Sequence, residues 1–148
     1  MNKYLNTTAV VFLVTLASVL PASAQDRSPL IGAWRMTSLE AANSNGELTP
    51  VPMSGQLIIT DAGTLSAQAM NPDPNALPTP FTANGYEALY GAIEINDSTN
   101  TFVTTVQSAL VRNLVGQKMK RAFKVSGNQM VLSPADPSEG WRVTYERY

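Results

Sequence analysis

From Leu30 to its last residue the chain follows a period of two. The stretch KMKRAFKV, residues 118–125, shows it best. Lys118, Lys120, Ala122 and Lys124 fall on one side, and Met119, Arg121, Phe123 and Val125 on the other. A β-strand sends alternate side chains to opposite faces, so this pattern is that of a strand with one solvated and one buried face. Similar alternation marks strands at 30–40, 56–60, 64–70, 89–96, 101–110, 117–126, 129–133 and 141–148. Short turns join most of them. Asp61-Ala62-Gly63, residues 97–100 and Gly127-Asn128 all carry turn residues, and Gly127-Asn128 suits a two-residue hairpin. Eight antiparallel strands close into a barrel wide enough for side chains or one small ligand, and closure removes exposed sheet edges. The fold expected is all-β, a single antiparallel up-and-down barrel. A two-sheet sandwich built from the same strands is the competing architecture.

Three segments break the pattern. Residues 41–54 are polar, with Asn45-Gly46 and prolines at 50 and 52, and read as a loop. Residues 71–85 begin NPDPNALPTPF, whose four prolines bar regular pairing. A connection of that length in a small domain is either a functional lid or a tolerated excursion. Residues 86–88 read as one helical turn.

The N-terminus follows a different rule. Lys3 precedes an almost unbroken apolar run over 8–20, and Pro21-Ala22-Ser23-Ala24 supplies small residues before Gln25. That is the layout of a cleaved secretory signal over 1–24. The run is shorter than the roughly 20 residues that span a bilayer, so no membrane span is expected after cleavage. The remaining residues, 25–148, suit one domain with one core. The protein is expected to be exported, to a periplasm or to the medium.

Composition then removes whole classes of chemistry. The chain contains no cysteine and no histidine. Disulfides, Ser-His-Asp triads, Cys-His pairs and histidine-based metal sites are excluded, and so is the usual side chain for proton transfer near neutral pH. No cofactor or metal is implied. Without Lys3, nine basic residues stand against eleven acidic ones. That balance offers nothing to neutralise a phosphate backbone, so nucleic acid is not an expected partner. Nothing in the sequence sets an oligomeric state.

Parity assigns faces within the strands. In 118–125 the lysine row must be the outer one, which turns Arg121 inward beside Met119, Phe123 and Val125. An inward guanidinium is costly unless it is paired or hydrogen-bonded. The last strand places Trp141, Val143, Tyr145 and Arg147 on one face. The expected inward set is Trp34, Arg121, Phe123, Met130, Leu132, Trp141 and Tyr145. The strands TLSAQAM and TFVTTVQS are mixed on both faces, as suits a barrel with a partly polar interior. No pair of carboxylates stands out for general acid–base work: Glu94 and Glu146 fall outside, and Asp61, Asp73, Asp97 and Asp136 lie in turns or loops.

Three stretches together resemble a known family: LIGAWRMTSLEA, GQLIITDAGTLSAQAMNPD, and LYGAIEINDSTNTFVTTVQSALVRNLVGQKMKRAFKVSGNQMVLSP. Gly-x-Trp, a hairpin ending Ser-Ala-Gln, Asn-x-Val-Gly and Arg-x-Phe in this order are similar to the bacterial and fungal lipocalin-like domain proteins. The resemblance implies an eight- to ten-stranded lipocalin-like barrel in which Arg147 packs on Trp34 at the base. It also places Gln68, Asn113 and Arg121 on family positions. Members often carry histidines in the strand that corresponds to 103–107, where this chain has Thr104, Thr105 and Gln107. Any acid–base role of those histidines is absent here.

The candidate ligand-binding residues are therefore Arg121, Gln68, Thr105, Gln107, Asn113, Phe123 and Trp141. Arg121 would anchor a carboxylate, since a guanidinium matches that group bidentately. Alternatively it stacks on Trp34 or pairs with an internal carboxylate. Asn113 would satisfy backbone groups at a bend, and Phe123 and Trp141 would serve the core. No residue is assigned a catalytic role. The function expected is that of an exported, non-enzymatic barrel that binds a small apolar or amphipathic molecule. The alternatives are a cyclase or isomerase using the barrel cavity, and an exported interaction or inhibitor module.

Overall fold

The computed structural model describes residues 27–148; the signal peptide expected over 1–24 lies outside them. The described chain forms nine strands: β1 (Gly32–Ala42), β2 (Leu48–Val51), β3 (Ser54–Ile59), β4 (Thr64–Met70), β5 (Tyr86–Asn96), β6 (Thr101–Ala109), β7 (Lys118–Ser126), β8 (Gln129–Pro134) and β9 (Trp141–Arg147). All pairings are antiparallel. From β3 to β9 each strand pairs with the next, and β1 pairs with both β3 and β9. The β1–β9 ladder runs from Trp34 opposite Arg147 to Ala41 opposite Trp141. That ladder closes an eight-stranded barrel and rules out an open sandwich.

The ninth strand, β2, lies within the stretch expected to be a loop. Asn43 explains the difference. Its Oδ1 accepts hydrogen bonds from the backbone N–H groups of Asn45 (2.8 Å) and Glu47 (3.1 Å), which makes a compact turn. The two arms then pair, with Ala42 opposite Leu48 and Leu39 opposite Val51. Residues 86–88 also differ from expectation. They extend β5 rather than forming a helical turn, with Met70 opposite Tyr86 and Ala69 opposite Glu87. The loop before them is ordered by its own side chains. Asn71 and Asp73 each accept a backbone N–H two residues ahead, and the hydroxyls of Thr79 and Thr82 meet at 2.9 Å.

One end of the barrel is plugged. Trp34 is fully buried, and its indole N–H donates to the Leu30 carbonyl at 2.9 Å. The Arg147 guanidinium lies 4.0 Å from the centre of the Trp34 ring and donates to the carbonyls of Ile31 and Pro29, each at 2.8 Å. Gly32 is the third part of this unit. Its φ is +142°, and a Cβ there would collide with Arg147 Nη1. Above the plug, Leu57, Ile59, Phe102, Phe123, Met130 and Tyr145 fill the lower barrel. The aromatic rings of Phe102 and Phe123 meet at 6.3 Å in a tilted pair.

A bulge shapes the side of the barrel near the other end. The β5–β6 register shifts between Tyr90 and Gly91, so that Tyr90 faces Ser108 while Gly91 faces Val106, leaving Gln107 as the extra residue. Gly91 makes that possible, because its backbone presses on the β6 strand and a Cβ would fall on the Thr105 carbonyl oxygen. Gly91→Val should therefore cost about 3 kcal/mol, at the upper end of overpacking penalties. Urea melts of the variant and the wild type would check this, and an unchanged midpoint would contradict it.

Candidate functional site

The open end is ringed by the β1–β2 turn, the long 71–85 segment, residues 110–117 and residues 135–140. Two short 3-10 helices, η1 (Arg112–Leu114) and η2 (Pro137–Glu139), lie in the last two. Asp136 sets up η2. Its carboxylate caps the turn by accepting the Ser138 N–H at 2.9 Å, which holds its own pKa below the ordinary carboxylate range. Gly140, in the left-handed region, then ends the turn. This local geometry projects Glu139 over the mouth of the barrel.

Arg121 meets it there. The side chain is buried on the inner face of β7, as parity requires. Its Nη1 donates to Glu139 Oε1 and to the Lys120 carbonyl, both at 3.1 Å. The guanidinium also sits 5.0 Å from the Trp141 ring and 5.7 Å from the Phe81 ring, so two aromatics from separate segments bracket it. Burial lowers its pKa, and the charges of Glu139 and Glu87 work against that. The expected alternative of stacking on Trp34 does not occur, because Arg147 holds that position at the opposite end. The two remaining groups of donors on Arg121, at Nε and Nη2, make no hydrogen bond among the described residues.

Glu87 is the acidic residue that sequence reading missed. Extending β5 back to Tyr86 places it in the inward row of Leu89, Gly91, Ile93 and Ile95. It is half-buried. Desolvation pushes its carboxyl pKa up to about 7, with the nearby Arg121 charge acting in the opposite direction. Tyr145 is buried beneath the mouth, and both its burial and the Glu87 charge raise its phenol pKa. A chain without histidine thus still has a side chain that titrates near neutrality. The signal for it was parity: Glu87 stands two residues before Leu89 in the same alternating row.

A cleft of about 910 Å³ opens around Arg121 and Glu139; Glu87 and Tyr145 are not among the residues that line it. Phe81, Val111, Leu114 and Met119 supply apolar walls, and Arg121 and Glu139 lie within it. Lys118 and Lys120, exposed on the outer face of β7, reach its rim. The Trp141 indole Nε1 is buried with no acceptor among the described residues, leaving a donor for a bound group.

The sequence-derived candidates divide between the two faces of the barrel wall. Arg121 and Asn113 line the cleft, and Trp141 stacks against Arg121. Phe123 is buried lower in the barrel, against Phe102. Gln68, Thr105 and Gln107 are not brought to this site. Gln68 lies between inward Ala67 and Ala69, so it points outward, where it accepts a hydrogen bond from Gln56 Nε2 at 3.2 Å. Thr105 alternates with inward Thr104 and Val106, both almost fully buried, and so belongs to the outer face. Gln107, the bulged residue, lines a separate shallow depression with Leu110, Arg112 and Val115. Period-two geometry sends all three residues away from the interior. Among the described residues no group of three or more Asp or Glu could hold a metal ion.

No match is found among curated proteins. Among solved structures, an uncharacterised protein from Bacteroides eggerthii DSM 20697 is similar, at 16% identity and a TM-score of 0.48, covering 80% of this chain and 98% of that one. The lipocalin-like domain family matches residues 31–145, a span that takes in the closed barrel from the Trp34 plug to the Tyr145 interior. The chain belongs to that family.

Proposed function

We propose that this protein is an exported barrel that binds a small amphipathic molecule in the mouth cleft. The molecule's polar head would lie on Arg121, with its apolar part along Phe81, Leu114 and Met119. One observation carries the reading: a buried arginine, held by Glu139 and with two further donor groups that make no hydrogen bond among the described residues, lies within an apolar-walled cleft. Most ligand sites pair apolar walls with a few convergent polar groups in this way. The packed lower barrel limits the ligand to the upper part, since Phe102, Phe123 and Met130 occupy the space beneath.

Native mass spectrometry of protein purified from its native host, followed by a panel of fatty acids and neutral apolar molecules, tests the reading. A co-purifying ligand or a panel hit is expected. Arg121→Met should weaken a hit with an anionic head by roughly tenfold or more, the loss of one charge-assisted contact. An empty protein that binds nothing in the panel would end the reading. Export is tested separately, by sequencing the N-terminus of protein from the periplasm or medium, which is expected to begin at Gln25.

Glu87 favours one second reading, an isomerase-type enzyme. A carboxyl titrating near 7 suits general acid–base catalysis at neutral pH. Deuterium wash-in from heavy water into a bound ligand, present with the wild type and absent with Glu87→Gln, would support it. No wash-in with a ligand known to bind would remove it.

A further inference from the structure

Arg121 and Glu139 form an unequal pair. The arginine side chain is 9% exposed and the glutamate 35%. A guanidinium taken out of water needs a counter-charge, so a carboxylate belongs on Arg121 with or without a ligand. Glu139 supplies it through one bond only, Nη1 to Oε1 at 3.1 Å. A guanidinium edge and a carboxylate can make two parallel bonds, which is the stronger arrangement.

Glu139 is also placed to leave. Its turn, η2, has no buried residue and holds its own shape. The Ser138 N–H donates to Asp136 Oδ1 at 2.9 Å, and the Gly140 N–H donates to the Pro137 carbonyl at 3.1 Å. Backbone bonds tie both ends to the barrel, from the Ala135 N–H to the Lys120 carbonyl (3.3 Å) and from the Ala42 N–H to the Gly140 carbonyl (2.7 Å). Rotation of the Glu139 side chain therefore breaks one ion pair and no backbone bond.

The charge of the cleft decides what replaces it. Lys118, Lys120 and Arg121 line it together with Asp136 and Glu139, three cations against two carboxylates. Asp136 is engaged in capping η2, and neither lysine makes an ion pair among the described residues. A monoanionic head brings this set to neutrality, a cationic head doubles the surplus, and a dianion reverses it. Glu139 itself shows that a carboxylate fits on Arg121 between Phe81 and Trp141. We infer that the ligand is an amphiphile with a single carboxylate head, and that this head takes the place of Glu139 on Arg121. The inference rests on the binding reading above. Glu139 then neutralises the arginine in the absence of ligand and competes with the ligand for it. Two carboxylates around one poorly solvated guanidinium repel each other, which favours exchange over sharing. The unpaired lysines offset the released carboxylate.

Dodecanoate is the probe, and dodecanol, the same chain with an uncharged head, is the control. Glu139→Gln removes the competing charge and keeps an oxygen that can accept from Nη1. Calorimetry near neutral pH should show this variant binding dodecanoate roughly tenfold more tightly than the wild type, the effect of one charge-assisted contact, with dodecanol unchanged. Glu139→Asp, one methylene shorter and so set back from Arg121, should shift dodecanoate in the same direction. Arg121→Met should weaken dodecanoate roughly tenfold and leave dodecanol unchanged. One measurement needs the wild type alone. The carbon-13 signal of carboxyl-labelled dodecanoate, once bound, should remain that of the carboxylate at pH values where the free acid is protonated, because the guanidinium favours the charged form.

Three outcomes would overturn the inference, each differently. If Arg121→Met weakens dodecanoate but both Glu139 variants leave it unchanged or weaken it, exchange is wrong and the ligand reading stands. If dodecanol binds as well as dodecanoate, Arg121→Met changes neither, and the bound acid titrates like the free one, the carboxylate class is wrong. If neither probe binds, this inference fails, and the ligand reading rests on the wider panel alone.

Discussion

Trp34→Ala should destabilise the protein by about 3–5 kcal/mol, the usual cost of truncating a large buried aromatic. Trp34 has no exposed surface, so the whole side-chain volume becomes cavity. Two polar losses add to this. The Leu30 carbonyl loses its 2.9 Å indole donor, and Arg147 loses the ring beneath its guanidinium. Small domains are held by about 5–15 kcal/mol in total, so this one change removes a large share. Denaturation followed by far-UV circular dichroism measures it, and Trp141, the other tryptophan, provides a fluorescence signal in the variant. Trp34→Phe separates the parts, because it keeps a ring for Arg147 and loses only the N–H and some volume. A loss below about 1 kcal/mol for Trp34→Ala would mean that the plug does not hold the base closed.

The second large effect is pH-dependent. The carboxyl of Glu87 is raised from an ordinary 4.5 to about 7 in the folded protein. Between those values the folded state holds a proton that the unfolded state has released. Stability from this group is thus fully present below about 4.5, and it is lost as pH rises through about 7. The full difference is up to about 3 kcal/mol, from roughly 1.4 kcal/mol per pKa unit. Glu87→Gln, which cannot ionise, should keep that stability at all pH values. Measured by urea melts, the variant should exceed the wild type by up to about 3 kcal/mol near pH 8 and match it near pH 4.5. The comparison cancels the other titrating groups. Equal stability at both pH values would show that Glu87 is not desolvated in the folded barrel.

The two residues behind these effects were not equally legible. Trp34 announced itself, because Gly32-x-Trp34 begins the first strand and Arg147 ends the last. Closure then brings those ends together. Glu87 was hidden by a local misreading. Taking 86–88 as a helical turn detached it from the alternating row that begins at Leu89. Strand pairing with Met70 and Ala69 restores the row, and long-range pairing outweighs local turn preference there. Gln68, Thr105 and Gln107 failed for the opposite reason. They were chosen by family position, whereas parity with Ala67, Ala69, Thr104 and Val106 sends Gln68 and Thr105 outward. The same alternation sends Gln107 outward, one residue past inward Val106, and the bulge opposite Gly91 leaves it without a partner on β5.

What the sequence determined by itself was everything that depends on neighbours along the chain. Alternation set the strand faces and turned Arg121 inward, short turns set antiparallel order, and the missing histidines and cysteines removed whole chemistries. What tertiary structure alone decided was which distant groups share one enclosed space. Glu139 over Arg121, with Phe81 and Trp141 flanking it, comes from three stretches far apart in sequence, around residues 81, 121 and 139–141. Their charges interact strongly because barrel closure removes water from between them, and desolvation is a property of the closed barrel that no stretch of sequence carries.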